Sequence, residues 1–470
     1  MKELMAKLVS ISGDFDGWMY STVLFWALII VGLCFSVRTK FVQIRLLPEG
    51  IRVLTEKSHE GGMSSFQALM IATASRVGTG NIAGVATAVV AGGGPGAVVW
   101  MWIMAIVGGA SAFIESTLAQ IYKRPDGKMF KGGPAYYIER ALGSRKLGVL
   151  FSVLLILTFA FGFNCLQSYN IASSLEHYVG EDGYVTAAII TGVILAVIAG
   201  FLFFGGAHKI SIVSSVLVPI MALIYIVMGL VITFMHVSEL PAILGEAFSQ
   251  AFDFKAISGG FAGSCVVWGV KRGLFSNEAG MGSAPNAAAS ADVSHPVKQG
   301  LVQVVSVFID TLIICTTTVF IVLCTGRYTV GGDLNGIPLV QESVSSAFGE
   351  AGVAIITVSI ALFAFTSLIG NYFYAEANIK FISKNEKLMN GFRVVAAFMI
   401  FVGANLNLEL AWNMADIFMG FMAFVNIAAM FILGGIAIRA MDDYIAQRKE
   451  GKNPVFKASN IGLDNTDVWK

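Results

Sequence analysis

The stretch A-S-R-V-G-T-G-N-I-A-G, residues 74–84, interrupts an apolar segment, 64–91, that is otherwise long enough to cross a bilayer. It places Gly78, Gly80 and Gly84 where an unbroken membrane helix would carry larger apolar residues. A glycine costs about 1 kcal/mol against alanine in a helix, so three together indicate unwound backbone. Inside a membrane, unwound backbone survives only where protein or a water-filled cavity covers it. The stretch therefore predicts a broken helix with a ligand site.

The composition predicts a polytopic membrane protein. Of 470 residues, 56% are hydrophobic and 13% are charged, whereas soluble domains carry about 25% charged residues. The net charge of +1 gives no basic field for nucleic acid. The five cysteines form no C-x-x-C, and the five histidines lie in connecting segments. We therefore expect no disulfide framework, no metal other than a transported ion, and no enzyme active site.

Eleven apolar segments satisfy the length of about 20 residues that a membrane helix needs. We read no cleaved signal peptide at the N-terminus. The predicted spans are 18–37, 64–91, 95–122, 148–175, 185–206, 210–235, 256–283, 299–326, 351–379, 392–408 and 410–438.

The distribution of basic residues predicts the orientation. With the N-terminus outside, most of the 31 lysines and arginines fall in inner segments, and cytoplasmic loops carry such an excess. This predicts a multi-pass protein of the cell membrane with an outer N-terminus and a cytoplasmic C-terminus. The charged tail after residue 440 has no apolar periodicity, which predicts a partly disordered cytoplasmic end.

A second interruption, V-W-G-V-K-R-G-L-F-S-N-E-A-G-M-G at 267–282, lies inside the predicted span 256–283. Without the first span, the two interrupted spans are the first and sixth of ten. Interruptions in corresponding positions of two halves point to the substrate site of a transporter. We therefore expect an extra N-terminal helix and loop, a first five-helix repeat, an inverted second repeat and a tail, at 1–63, 64–235, 236–440 and 441–470.

The first break offers groups for a small zwitterion. Backbone N–H groups of Thr79 and Gly80, with Asn81 beside them, could hold a carboxylate, and freed carbonyls could accept an ammonium or coordinate Na+. Gln167 is our candidate for the substrate side chain. The alternative is that Gly80 and Gly84 only permit close helix packing, which the paired interruptions make the weaker interpretation.

Thr366 and Ser367 place two hydroxyls side by side in the ninth span. They suit a cation site against the broken helix, but each could equally bond a carbonyl of its own helix. The residues alone leave these two interpretations open.

Charged residues at membrane depth are costly and are usually paired or functional. Lys271 and Arg272 lie beside the second break, and we expect them to pair with Glu278 or Asp310 in a structural or gating ion pair.

Three motifs carry a resemblance to a known family: G-T-G-N-I-A-G-V-A-T-A at 78–88, G-G-P-A-Y-Y-I at 132–138 and G-L-F-S-N-E-A-G-M-G-S-A-P at 273–285. They resemble the signatures of the alanine or glycine:cation symporter family, also called sodium:alanine symporters, of the amino acid-polyamine-organocation superfamily. The resemblance covers about 64–440. It implies an all-α, leucine-transporter-like five-plus-five inverted-repeat fold with one extra N-terminal helix.

The resemblance also implies site residues. A Na+ site would use the carbonyls of Ala74, Val77 and Phe363 with the hydroxyls of Thr366 and Ser367, which favours the ion over back-bonding. Substrate contacts from the second interruption would come from Trp268, Gly273, Phe275 and Ser276.

These observations predict Na+-coupled symport of a small neutral amino acid, with alanine or glycine favoured, glutamine possible and H+ a possible coupling ion. The partners expected are the amino acid, Na+ and the bilayer, with no cofactor, no nucleic acid and no obligate protein partner. The alternative is an ion or solute channel, which would want a continuous polar pore.

Overall fold

The computed structural model describes residues 2–59, 61–127, 129–260, 264–406 and 408–469. Nearly all of the regular structure is helical, as the apolar composition requires. The helices are α1 (Lys2–Met19), α2 (Phe25–Arg38), α3 (Val42–Arg45), α4 (Leu47–Leu54), α5 (Ser65–Arg76), α6 (Ala83–Ala88), α7 (Gly96–Ile121), α8 (Pro134–Ala141), α9 (Arg145–Ile156), α10 (Asn164–Ser174), α11 (Glu176–Met235), α12 (Leu240–Ala251), α13 (Phe254–Gly259), α14 (Cys265–Asn277), α15 (Pro285–Ser290), α16 (Pro296–Phe308), α17 (Thr316–Thr325), α18 (Gly336–Ile382), α19 (Glu386–Ala404) and α20 (Leu408–Lys449).

Short π-helical and 3-10 segments join or extend these helices. The π-helical segments are Tyr20–Leu24, Val89–Gly93, Leu157–Phe163 and Ile309–Cys315, and the 3-10 turns are Thr79–Asn81 and Ala458–Ile461. Two strands, β1 (Arg124–Asp126) and β2 (Met129–Lys131), form an antiparallel hairpin in which Arg124 faces Lys131.

Within the described residues, eight helical runs are long and apolar enough to cross a membrane. Large apolar side chains cover their outer surface; on α11, Val197 is 66% exposed and Phe201 71%. Contiguous apolar surface of this kind drives association in water, whereas lipid tails solvate it. The prediction of a polytopic helical membrane protein is confirmed. The eight runs are Val9–Arg38, Gly96–Ile121, Arg145–Ser174, Glu176–Met235, Pro296–Thr325, Gly336–Ile382, Glu386–Ala404 and Glu409–Lys449.

The 60-residue helix α11 contains a kink that matters for counting spans. At Gly206 the backbone leaves helical geometry, with φ 72° and ψ 178°. Glycine tolerates this positive φ because it has no Cβ. The kink falls between the predicted spans 185–206 and 210–235, so α11 supplies two membrane-length pieces.

The first predicted interruption is present. Ser64 caps α5 by accepting a hydrogen bond from the Gln67 N–H, and the Gln67 side chain reaches back to the Ser64 N–H. The helix ends at Arg76, Gly78 is extended with φ −125° and ψ −160°, and a 3-10 turn at Thr79–Asn81 leads into α6. Two half-helices therefore meet at 77–82.

The second interruption lies further along the chain than predicted. The helix α14 ends at Asn277. Glu278 after it is left-handed with φ 54°, and Gly280 and Gly282 follow with φ 85° and 90°. Pro285 then starts α15, a position that proline favours. The broken segment is thus Cys265–Ser290, and the predicted boundaries 256–283 are wrong because α13 is a separate short helix.

Residues 451–469, here called the tail, pack against one end of the bundle. The Trp469 indole N–H donates to the Gln120 carbonyl at 2.7 Å, and the Phe456 N–H donates to the Ser294 carbonyl at 2.9 Å. Phe456 and Trp469 are buried. The prediction of a partly disordered end is wrong for these residues, because a few widely spaced apolar side chains anchor it.

Charged groups tie the tail end of α20 to neighbouring segments. Hydrogen bonds from Arg52, at 2.8 Å, and from Tyr444 hold the pKa of Glu49 down at about 2. His295 contacts Asp443 at 3.1 Å, and its burial lowers the pKa of the imidazole despite that partner.

Candidate functional site

The two helix interruptions meet in the interior of the bundle. The Asn81 side-chain NH2 donates to the Ser276 hydroxyl at 3.1 Å. A Cβ on Gly80 would stand 2.3 Å from the ring of Phe275. All four residues are buried. The structure therefore brings together site residues predicted from two distant parts of the chain.

Side chains of α10 bind the first break. The Thr79 N–H and the Thr79 hydroxyl both donate to Gln167 Oε1, at 3.0 and 2.9 Å. Asn170 Nδ2 donates to the Thr79 hydroxyl at 2.8 Å. Two N–H groups were expected to face a substrate, those of Thr79 and Gly80. Gln167 accepts the Thr79 N–H, so it is the Gly80 N–H that Gln167 leaves for a substrate carboxylate.

Close approach explains why this turn is made of glycine. A Cβ on Gly78 would lie 2.4 Å from Ser367 Oγ and 2.8 Å from Gln167 Nε2. Gly80 does not have a positive φ, so its need for glycine comes from Phe275 and not from backbone strain. A Cβ on Gly84 would stand 3.3 Å from Trp412, which is a tight contact but a much smaller clash than the one at Gly80.

Aromatic side chains form one wall of the site. The Phe275 ring centroid lies 4.5 Å from that of Phe163 and 5.1 Å from that of Trp412. A cavity of about 180 Å³ reaches this wall, lined by residues that include Tyr169, Asn170 and Trp412. Sequence reasoning missed Trp412; its only signal was an aromatic residue four positions before the buried Asp416.

Two predicted contacts lie elsewhere on α14. Gly273 faces α7, where its Cβ would stand 3.1 Å from Met104. Trp268 lines a separate cavity of about 490 Å³ beside α1, where Lys271 Nζ lies 5.3 Å from its ring. Both residues lie in α14, a turn or more before its end, whereas Phe275 and Ser276 lie in its last turn beside the first break.

Ala74 and Val77, at the end of α5, lie beside α18, the helix that carries the other three predicted Na+ ligands. The hydroxyls of Thr366 and Ser367 donate to the Phe363 carbonyl at 2.9 and 3.0 Å, and Ser367 Oγ lies 3.5 Å from the Val77 carbonyl oxygen. The hydroxyl of Thr366 also contacts Met221 Sδ of α11, at 3.3 Å. Gly370 allows the approach, since its Cβ would stand 3.1 Å from the Ala74 carbonyl carbon. Carbonyl and hydroxyl oxygens suit a hard cation, and the same hydroxyls bond their own helix as the alternative interpretation expects.

The buried cations of α14 have other partners than expected. Lys271 pairs with Asp16 and, at 2.8 Å, with Asp416, and Arg272 pairs with Asp416 at 3.0 Å. The predicted pairing with Glu278 or Asp310 is wrong. Glu278 follows Lys271 by seven residues, about 10 Å along a helix, whereas α1 and α20 lie directly beside the two cations.

Glu278 and Asp310 instead accept hydrogen bonds from the breaks. Glu278 accepts the hydroxyls of Ser75, at 3.0 Å, and Ser283, at 2.6 Å. Asp310 accepts from Asn81 at 2.6 Å and from the Ser276 hydroxyl. Each carboxylate therefore joins the first interruption to the second.

Membrane-length helices around two interrupted ones, with polar groups buried where the breaks meet, define the class of membrane transporters. The model of the sodium:alanine symporter family matches residues 5–458. The chain belongs to this family, whose members are transporters and not enzymes.

Three relatives from Bacillus subtilis (strain 168) illustrate the similarity. The amino-acid carrier protein AlsT is 44% identical over 472 residues, covering 100% of this chain and 99% of the relative. The probable sodium/glutamine symporter GlnT is 44% identical over 459 residues, covering 97% and 94%. The putative sodium/proton-dependent alanine carrier protein YrbD is 42% identical over 468 residues, covering 96% of each.

Proposed function

We propose that this chain carries a small neutral amino acid into the cell together with Na+, by alternating access. The observation that carries the proposal is the position of Gly78, whose missing side chain lets Ser367 of the ion site and Gln167 of the substrate site approach the same turn. A cation bound beside this turn and an amino acid bound at Gly80 would stabilise one backbone conformation, which couples their binding.

The relatives support the choice of cargo. AlsT is named an amino-acid carrier, GlnT a probable sodium/glutamine symporter and YrbD a putative sodium/proton-dependent alanine carrier. The aromatic wall of Phe163, Phe275 and Trp412 leaves little room beside Gly80, which favours alanine or glycine over glutamine for this chain.

The architecture we propose is the leucine-transporter-like inverted repeat with one extra N-terminal helix and eleven spans. The kink at Gly206 and the two interrupted helices supply the spans beyond the eight continuous runs. The repeats would be 64–235 and 236–440, preceded by 1–63 and followed by 441–470. The basic residues near the tail support a cytoplasmic position for that end, with the N-terminus outside.

Uptake into proteoliposomes tests the proposal. Labelled alanine, glycine and glutamine should accumulate above the outside concentration only with an inward Na+ gradient, with alanine or glycine transported best. Equilibration without accumulation would indicate a channel instead, and accumulation independent of Na+ would contradict the proposed ion.

A further inference from the structure

Asp310 is a buried carboxylate that joins three segments of the site. It lies in the π-helical segment Ile309–Cys315 between α16 and α17 and is fully buried. One oxygen accepts Asn81 Nδ2 at 2.6 Å, and the other accepts the hydroxyls of Ser276 and, at 3.0 Å, Thr311. The carboxylate thus holds both helix breaks to a third helix.

Neutral donors surround this carboxylate. Among the described residues, no Lys, Arg or His forms an ion pair with it, whereas Lys271 and Arg272 are paired with Asp16 and Asp416. Its hydrogen bonds come from an amide and two hydroxyls. Inside a membrane protein, an ionised carboxylate without a cationic partner is costly.

Arg76 is the cation whose charge reaches Asp310, and it also acts on Glu278 and Glu115. Its Nη1 donates to Gln303 at 3.1 Å, and its Nε and Nη2 have no hydrogen-bond partner in the described part of the chain. One arginine cannot balance the charge of three carboxylates when all are ionised, and a bound cation or proton would supply the difference.

The other titratable groups around Asp310 are a thiol, a phenol and two carboxylic acids. Cys315 lies on the same π-helical segment and contacts Ser276 Oγ at 3.0 Å. Tyr225 of α11 bonds Thr318 of α17 at 2.5 Å. Glu278 follows α14, and Glu115 of α7 accepts the Gly280 N–H at 3.2 Å. Cys315 Sγ also contacts Asn81 Nδ2, at 3.3 Å, but a thiol is a much weaker acid than a carboxylic acid. Among these groups, Asp310 is therefore the carboxylic acid that bonds both Asn81 and Ser276.

The hydrogen-bond directions favour a proton over Na+ at this carboxylate. Asn81 Oδ1 accepts the Gly78 N–H at 3.0 Å, which turns its Nδ2 donor toward Asp310. An N–H group cannot coordinate a metal cation. The Thr366 and Ser367 region, by contrast, offers several oxygens to Na+.

We infer that Asp310 is a proton-binding site that takes up H+ with the amino acid and releases it on the other side of the membrane; this rests on the symport function proposed above. The ionised carboxylate accepts charge-assisted hydrogen bonds from Asn81 and Ser276 and pins the two breaks together. A proton on the carboxyl removes the charge, weakens both bonds and neutralises the site. Proton binding and rearrangement of the breaks are thereby linked.

The test uses the full chain in proteoliposomes that contain a pH-sensitive dye, with equal Na+ on both sides and the membrane potential clamped. Added alanine should acidify the lumen of wild-type vesicles. Asp310→Asn should abolish this acidification while still exchanging labelled alanine across the membrane. Asp310→Glu, which keeps a titratable carboxyl group, should restore proton movement.

A matched control is Glu376→Gln, which removes another buried carboxylate that pairs with Lys380 at 3.3 Å and lies outside the Arg76 cluster; it should keep alanine-driven acidification. Infrared difference spectra of wild-type protein, with and without alanine, should show a carboxyl C=O band that shifts when aspartate is ¹³C-labelled. This measurement uses the wild type and so does not depend on whether a variant folds.

Three results would overturn the inference: alanine uptake by the wild type without proton movement, proton movement retained by Asp310→Asn, or an alanine-induced spectrum without an aspartate carboxyl band. The first leaves Na+-coupled symport standing. A wild type that moves no alanine under any gradient would instead overturn the proposed function, and the inference with it.

Discussion

Adding a single methyl group at Gly80 tests the site directly. The Cβ of Gly80→Ala would stand 2.3 and 2.5 Å from two carbons of the Phe275 ring, about 1 Å inside the usual carbon–carbon separation of about 3.5 Å. The ring cannot simply withdraw, because Phe163 and Trp412 pack on it at 4.5 and 5.1 Å. Overpacking of this kind costs about 1–3 kcal/mol.

That cost should appear mainly in alanine binding. If the displaced ring or turn must return to its place when the substrate binds, affinity falls about 5-fold to about 150-fold, since each 1.4 kcal/mol is tenfold. Scintillation-proximity binding on purified protein measures the affinity. Thermal unfolding without ligand measures how much the substitution destabilises the substrate-free protein.

Two variants control the interpretation. Gly84→Ala lies in α6, directly after the turn that contains Gly80. Its Cβ would stand 3.3 Å from Trp412 and 3.7 Å from Arg272, so its effect should be much smaller. Adding Phe275→Leu to Gly80→Ala should recover part of the loss, and comparison with Phe275→Leu alone gives a coupling energy that isolates the clash. Wild-type affinity in Gly80→Ala would refute the placement of the substrate at this turn.

Four further predictions concern the ion, the cargo, the orientation and the pH dependence. Thr366→Ala with Ser367→Ala should raise the Na+ concentration for half-maximal uptake about tenfold, since a hydrogen bond to a charged group is worth about 1.5 kcal/mol or more; unchanged Na+ activation would place the ion elsewhere. Gln167→Ala frees the Thr79 N–H and should change the relative affinities for alanine, glycine and glutamine more than it abolishes binding, as competition assays would show; equal losses for all three would argue against a specificity role. A cysteine replacing Glu181 should react with an impermeant thiol reagent added outside intact cells, and one replacing Lys131 should not; the reverse pattern would invert the topology. Burial lowers the pKa of His295 in the folded protein. Folding stability is therefore highest above the unfolded pKa of about 6.5 and falls as the pH drops below that value, because the unfolded chain binds the proton more readily. Thermal stability should consequently decline less on acidification in His295→Gln than in wild type.

The first break and its neighbours could be predicted because local sequence determines them. An apolar run that contains three glycines together with Thr79 and Asn81 predicts both where the helix stops and which polar groups face inward. The Thr366 and Ser367 pair was visible for the same reason, as adjacent hydroxyls on one helix, and the structure places Ser367 against Val77.

Contacts between distant segments could not be predicted in this way. Nothing near Lys271 in the chain indicates Asp16 or Asp416, because these carboxylates approach it only once α1 and α20 pack on α14. The second break was predicted too early in the chain for two reasons. Gly269 and Gly273 serve helix packing and do not interrupt α14. The helix stops instead before Glu278, which adopts a left-handed conformation that is usual for glycine. Trp412 gave no signal beyond its aromatic character and its position four residues before Asp416.

The packed tail also has a consequence for biosynthesis. Trp469 bonds Gln120, a residue 349 positions earlier, and Ser294 bonds Pro454 across 160 positions. The ribosome adds residues 454–469 after every membrane-length helix described here, so the contacts of Gln120 and Ser294 with the tail form only after all of those helices have been made. This end of the bundle is therefore the last part of the described structure to be covered during synthesis.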